Sequence, residues 1–324
     1  MADHSPSKPK LFRAIVLRLL AGVVSLLFIS FVTFAANELA PGDAATVRAG
    51  EKATPEQVQR IRHEMGLDLP WPIRYVEFVG KAARFDFGTS YFATREPVGA
   101  IIGRALPMTL KLATFSIIFA TFVGIVMGVV ASVFAESWID RVILSLGTLG
   151  VTVPNFVLAP ILVYVFAVKL NQLPTTWEIN LRAPEPYYWI LPVIVLSART
   201  AASLMRLTRA SMLDTLSQEF IRLAVAKGLS PFRIYVHHAL RNAILPVITA
   251  IGTSLGFLLT GSFVVETVFT MPGLGFTGID AILKGDSPVI LATTLVAGAI
   301  FVFINLVVDL ILPLVDPRIR ESQV

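Results

Sequence analysis

Cysteine is absent from the 324 residues. That excludes disulfides, thiolate zinc sites, iron–sulfur clusters and cysteine nucleophiles, and carries no information about compartment. Charge is scarce too: Asp, Glu, Lys and Arg make up 15% of the chain, where soluble domains carry roughly a quarter. No Gly-x-x-x-x-Gly-Lys-Ser/Thr loop occurs, so the chain binds no nucleotide by that route. His-Glu-x-x-His is not found, and Gly252-Thr253-Ser254-Leu255-Gly256, which matches Gly-x-Ser-x-Gly, lies inside the apolar run Ala243–Val265 rather than at a strand-to-helix turn. His237 and His238 are adjacent, so on a helix they point apart and cannot share a metal. No catalytic set and no metal site is expected.

Long apolar runs are what the chain has. Hydrophobic residues make up 55%, and the mean hydropathy is +0.74. This is too apolar for an ordinary soluble enzyme, and the opposite of a disordered tail. A helix needs about 20 apolar residues to cross the hydrocarbon core. Uncharged runs at Leu19–Ala36, Leu112–Ala135, Val142–Val168, Ala243–Val265 and Ser287–Val308 approach or exceed that length. Tyr187–Leu207 is apolar but interrupted by Arg199 and Arg206, and counts as a crossing because its neighbours need one to balance orientation. Alternating barrel strands are absent, and only helices or closed barrels satisfy their backbones in lipid. The expected fold class is an all-α membrane protein with six transmembrane helices, at 13–36, 108–135, 142–168, 187–207, 243–266 and 288–312.

Orientation follows the Lys/Arg bias of short loops. Lys8, Lys10, Arg13 and Arg18 lie at the N-terminus, and Arg318 and Arg320 at the C-terminus. Arg206, Arg209, Arg222, Lys227, Arg233 and Arg241 stand against Asp214 and Glu219 between the fourth and fifth spans. Six spans put all three groups on one side, which predicts a cytoplasmic 1–12, a cytoplasmic 208–242 and a cytoplasmic 314–324. The 37–104 segment is extracytoplasmic; its nine basic residues are balanced by nine acidic ones. The net charge of +5 is thus a topology signal, and no nucleic-acid partner is expected. The first run is longer than a signal-peptide core and reads as an uncleaved helix. Gly124-x-x-x-Gly128 and Gly252-x-x-x-Gly256 read as close helix packing.

Two pieces stand outside the bilayer. In 37–104, Thr54, Pro55 and Gln57 form a helix start with a capping box. Val58, Ile61 and Met65 share a face, and Gly66 can end the helix. Ile73–Arg84 is amphipathic, with Ile73, Val76, Val79 and Ala83 along one stripe. The segment reads either as a small cap on the membrane or as a docking platform. In 208–242, Ser217 can cap a helix Gln218–Lys227, Gly228 ends it, and Ser230-Pro231 restarts a helix into the fifth span. Such an elbow exceeds the usual 2–8-residue helix connection. It reads as a surface elbow or as a docking helix for a cytoplasmic protein.

The residues 217–229, Ser-Gln-Glu-Phe-Ile-Arg-Leu-Ala-Val-Ala-Lys-Gly-Leu, followed by His238-Ala239-Leu240-Arg241-Asn242-Ala243-Ile244-Leu245-Pro246, closely resemble the cytoplasmic loop of type I ABC importer permeases. Phe220-Ile221 replaces the general Ala-Ala, and the spacing to Pro246 is long, as in the dipeptide/oligopeptide/nickel branch. Thr260–Phe269 with Pro272-Gly273-Leu274-Gly275 resembles the end of the family's fifth span, and Asp316–Arg320 its C-terminus. Leu67-Asp68, Phe87–Tyr91 and Arg104–Pro107 resemble its outer segment and the start of its second span. Four blocks in register cover nearly the whole chain.

The resemblance implies half of a pore and no enzyme. The implied partners are a homologous second permease, two cytoplasmic ABC ATPases that carry ATP and magnesium, and an extracytoplasmic solute-binding protein, all around a lipid bilayer. This chain itself holds no cofactor. Glu219, Phe220, Arg222, Leu223, Ala224, Lys227, Gly228 and Leu229 are implied to contact an ATPase, with Phe220, Leu223 and Ala224 as the apolar anchor. Pro154 lies about 18 Å from Val142, so Thr152, Pro154 and Asn155 either line the translocation path or form a packing kink. Arg199 lies about 16 Å below Tyr188. It meets either an anionic group of the solute or a group on the partner permease. Di- or oligopeptides are the expected solute, with nickel chelates, glutathione or a sugar as alternatives. A secondary transporter is the rival class, but it normally shows internal repeats and coupling residues within the membrane.

Overall fold

The computed structural model describes residues 8–39, 44–50, 52–92, 95–178 and 183–315. The Asp316–Arg320 block lies outside them. The regular structure of the described residues is all helical, apart from one isolated bridge between Thr89 and Pro97. Five helices are long and apolar enough to cross a membrane, and a sharply bent pair makes a sixth if it counts as one span. Large apolar side chains such as Leu20, Val24, Phe28, Phe122 and Phe257 stand exposed along these helices, as suits helices bathed by lipid tails rather than water.

The chain divides into two compact units. One holds the described residues up to Thr109 together with Pro272–Leu306; the other holds Leu110–Met271 together with the described residues from Val307 onward.

In the first unit, α1 (Lys8–Leu39) is followed by short helices α2 (Ala44–Ala49), α3 (Pro55–Glu64) and α4 (Trp71–Ala82). The capping box of α3 forms as the sequence predicts: Gln57 N donates to Thr54 Oγ1, and Thr54 N donates to Gln57 Oε1 at 2.9 Å. Gly66 then takes φ +67, the left-handed conformation that ends a helix cheaply only at glycine. α4 is amphipathic, and most of the sequence stripe faces outward, with Val79 half-buried. Ile73 and Val76 stand exposed, while Tyr75 and Phe78 pack on α1 through Phe31 and Phe34. Aromatic rings supply more buried area than the aliphatic stripe, and the Tyr75 hydroxyl adds a hydrogen bond with Ser30 Oγ at 3.0 Å.

The second long helix, α5 (Val98–Val133), starts ten residues before the predicted span. Its first turns belong to the first unit. Val98, Ile102 and Ala105 are buried against Leu274 and Ala281 of α11 (Leu274–Lys284) and against Val289 and Ala292 of α12 (Ser287–Val315). Tertiary burial extends this helix where hydropathy alone would end it.

The second unit is built on α8 (Glu185–Leu216), which has neighbours on several sides. Gly124 and Gly128 of α5 admit it closely: a Cβ at Gly128 would sit 2.5 Å from Thr208 Cβ and 2.7 Å from the Met205 carbonyl oxygen. α6 (Trp138–Thr152) lies along another face, and α10 (Arg241–Val268) along a third. α9 (Glu219–Ala226) forms the elbow between α8 and α10. An aromatic cluster of Phe115, Trp177, Tyr188 and Trp189 marks one end of this unit, with ring centroids 5.2–5.7 Å apart.

The predicted third span, 142–168, is not one helix. α6 ends at Thr152, and α7 (Asn155–Leu162) continues, with wider π-type winding over Val163–Lys169, at 112° to it. The break follows from proline chemistry. Val153, before Pro154, is pushed to extended backbone at φ −79 and ψ 118, and Pro154 has no N–H to carry the helix on.

Candidate functional site

The elbow is assembled from its own small core. Met212 and Leu216 of α8, Ile221 and Ala224 of α9, and Ile234, Ala239 and Ala243 beyond it pack together. That core fixes which face of α9 remains outside. Glu219, Phe220, Arg222, Leu223 and Lys227 are exposed, with Leu223 at 63%. Ala224 is buried at 6% and faces the elbow's own core, which removes it from the outward apolar anchor expected from the sequence. Leu229 is half-buried against the same core.

The cap of α9 also differs from the sequence reading. Ser217 ends α8, its hydroxyl donating to the Asp214 carbonyl at 2.8 Å, and Gln218 takes the N-cap position without a side-chain cap. Ser217 is captured by the preceding helix because a serine hydroxyl readily bonds back to a nearby carbonyl. Gly228 ends the turn at φ +74, with its N–H donating to the Val225 carbonyl at 2.9 Å. The chain then restarts at Pro231, where Ile234 N donates to the Ser230 carbonyl.

Asn155, Leu196 and Gly261 meet where the third span breaks. A Cβ at Gly261 would lie 3.2 Å from Leu196 Cδ1 and 3.8 Å from Asn155 Nδ2. A Cβ at Gly150 would lie 3.1 Å from the Ala198 carbonyl oxygen. The break therefore sits against α8 one turn before Arg199. Thr152 and Pro154 are exposed and Asn155 is half-buried. Arg199 is exposed, and among the described residues it has no ion-pair or hydrogen-bond partner. Its companion Arg206, read in the sequence only as an interruption and a topology charge, lies on the same exposed face, with Ser203 between them. The i, i+4, i+7 spacing was the signal that could have found it.

In the first unit, a cavity of about 1040 Å³ is lined by Glu38, Arg62, Arg74, Glu77, Lys81 and Tyr91, among others. Arg74 pairs there with Glu38. Beside it, Asp286 accepts a hydrogen bond from Ser90 Oγ and another from Tyr91 N, the latter at 3.2 Å. Burial, then the Asp286 charge, pushes the Tyr91 phenol up to about 12. On the rim of the loop, Arg104 holds the Glu96 carboxyl below its ordinary range.

The profile of the family described as the binding-protein-dependent transport system inner membrane component matches residues 120–321, and that of its N-terminal region matches residues 11–113. The chain belongs to this family. It is a multi-pass permease subunit of an ABC importer, a transport subunit and not an ATPase. It is 38% identical to the probable peptide ABC transporter permease protein y4tP of Sinorhizobium fredii, over 94% of this chain and 98% of that one. The dipeptide transport system permease protein DppB of Bacillus subtilis is 37% identical over 95% and 98%. The glutathione transport system permease protein GsiC of Escherichia coli is 37% identical over 94% and 98%. Among solved structures, the inward-facing MetNI methionine ABC transporter aligns with a TM-score of 0.54 at 19% identity, over 67% of this chain and 96% of that one. The permease fold is thereby shared.

Proposed function

We propose that the permease carries di- or oligopeptides, as half of a pore completed by a homologous second permease. Two cytoplasmic ATPases drive it, and an extracytoplasmic binding protein delivers the solute. Both termini and the elbow lie on the cytoplasmic side in this reading, where the Lys/Arg bias puts them. The peptide assignment is supported by full-length relatives named for peptide, dipeptide and glutathione transport.

The observation that carries the mechanism is the outward face of α9. Phe220 and Leu223 are exposed apolar residues on a helix whose other face is fully used by the elbow core. Arg222 and Lys227 flank them. An apolar pair ringed by charge is the pattern of a protein-docking helix laid into a groove. ATP-driven closure of the ATPases would move α9 as a rigid lever, because its core ties it to the ends of both α8 and α10. Those helices flank the broken third span, so the movement reaches Thr152, Pro154, Asn155 and Arg199 directly. On the outer side, the mixed-charge cavity between α1, α3, α4 and α12 is the surface offered to the binding protein.

The test is reconstitution in liposomes with a homologous second permease, the ATPases and the binding protein. ATP-dependent uptake of a labelled dipeptide that requires all four components is the expected result. Uptake that persists without ATPases and follows an imposed ion gradient would make the chain a secondary transporter instead.

A further inference from the structure

The wheel of α8 is almost fully assigned. Ala198, Ala202 and Arg209 meet α6; Ala201, Leu204 and Thr208 meet α5; Leu196 faces α10. One strip remains: Arg199, Ser203 and Arg206, with Ala210 and then Asp214 continuing it toward the end of α8, all exposed. Their spacing puts Arg199 to Ala210 on one face over about 16 Å, with the two arginine Cα atoms about 10 Å apart along the axis and Ser203 between them.

Depth makes this strip unusual. Counting inward from Tyr188 in the aromatic cluster, Arg199 lies about 16 Å down and Arg206 about 27 Å, so the strip runs from mid-membrane to the inner boundary. Arginine at such depth belongs beside water or an anion, and marks a pathway or a charged partner. Among the described residues neither arginine has a partner. The strip begins at the level where the third span breaks at Pro154. A non-helical backbone at that depth is tolerated only inside protein or beside a wet cavity.

We propose that Arg199, Ser203 and Arg206 form a stepped, hydrated cation track that takes the carboxylate of the passing solute from mid-membrane to the cytoplasmic mouth. This rests on reading the chain as half of a pore. Two equivalent positions a short step apart suit a moving ligand: each holds the anion weakly, and the next receives it. A fixed carboxylate on a partner permease needs only one arginine and gains nothing from the second. The track gives the pore a preference for solutes that end in a carboxylate.

The absence of native cysteine makes a direct test available. Ser203→Cys is introduced into the chain within the complete assembled importer. Its labelling is followed on the mass of this chain, using the anionic sulfonatoethyl and the cationic trimethylammonioethyl methanethiosulfonates. Rates are normalised to a free thiol. The expected result is an anion preference of about tenfold or more, since clefts of one charge raise counter-ion encounter rates by at least that factor. Arg199→Gln with Arg206→Gln should bring the ratio to near one, and the two Lys replacements should retain it. No reaction with either reagent in any nucleotide state means that the partner permease seals the strip, and overturns the proposal. So does a ratio indifferent to the arginines. If Ser203→Cys fails to assemble, Ala210→Cys on the same face is read by the fall in the ratio when the two arginines are replaced, since Asp214 stands one turn beyond it. Loss of uptake by the unsubstituted assembly would count against the pore reading itself, a separate result from the labelling ratio.

Discussion

Arg209 of α8 clasps Asp140 at the start of α6 with two parallel bonds, Nε to Oδ1 at 2.7 Å and Nη2 to Oδ2 at 2.6 Å. Asp140 is buried, and it also accepts from Glu136 N at 2.9 Å, so its carboxylate closes the turn before α6 as well. Removing Asp140 leaves the half-buried Arg209 guanidinium without its partner and the Glu136 N–H without its acceptor, which costs about 1–3 kcal/mol. Asp140→Leu is therefore expected to lower the denaturation midpoint of the purified permease sharply. The double variant Asp140→Leu with Arg209→Met should recover part of the loss. Full recovery would mean that the Glu136 turn contributes nothing.

Two glycines of the second unit should respond differently to the same methyl group. A Cβ at Gly128 would meet Thr208 Cβ at 2.5 Å and the backbone oxygen of Met205 at 2.7 Å, so α5 and α8 must move apart. A Cβ at Gly147 would meet only Met205 Cε, at 2.1 Å, the far end of a flexible side chain. Overpacking against backbone costs roughly 1–3 kcal/mol, while methionine re-orients easily. Gly128→Ala should be clearly destabilising in thermal unfolding. Gly147→Ala should stay near the parent, helped by alanine's better helix propensity. The reverse order would contradict the packing described.

Local signals were legible in the sequence where local chemistry decides. Thr54, Pro55 and Gln57 cap α3, Gly228 ends α9 at positive φ, and Gly124 and Gly128 admit α8. Pro154 was recognised as a disruption, but hydropathy ran unbroken through it, so the size of the bend was invisible. Signals that depend on partners were misread. On α4 the aromatic contacts of Tyr75 and Phe78, not the aliphatic stripe, make the packing on α1, and Ala224 turned inward because Ile221 and Ala224 jointly fill the elbow core. Arg206 was counted by charge rather than by face, which hid its alignment with Arg199.

Residues one position apart on α9 offer a sharp contrast. Leu223 is exposed, and Leu223→Glu should leave the chain folded while the ATPases fail to co-purify. Ala224 is buried among Met212, Ile221 and Ile234, so Ala224→Leu should lower stability by about 1–3 kcal/mol. Co-purification measured beside thermal unfolding separates the two effects. Equal loss of assembly from both variants at unchanged stability would remove the outward-face assignment.

Gly228 has open space where a Cβ would stand, so only its φ of +74 resists substitution. A β-branched residue is strained there, at about 1–2 kcal/mol, whereas asparagine visits that region. Gly228→Val is expected to reduce transport per ATP hydrolysed, because the α9 exit angle changes while the elbow core stays filled. Gly228→Asn should keep most of the coupling. Parent-like coupling in the valine variant would show that the exit angle does not matter.

Tyr91 gives the first unit a pH limit whose sign can be worked out. Burial, then the charge of Asp286, raises the phenol from 10.0 to about 12, so the folded state favours the neutral form. In the unfolded chain the phenol ionises near its ordinary value. Between about pH 10 and pH 12 the unfolded state therefore loses its proton first, and the folded state is disfavoured progressively across that window. Below pH 10 the contribution is complete and flat. Subtracting the 295 nm absorbance titration of Tyr91→Phe from that of the parent isolates this phenol among the six tyrosines. The difference curve is expected to have its midpoint well above 10. Asp286→Asn should move that midpoint down only part of the way, because burial is the larger cause. A difference titration centred at 10.0 in the parent would mean that Tyr91 reaches water freely and that Asp286 does not hold the loop against α12.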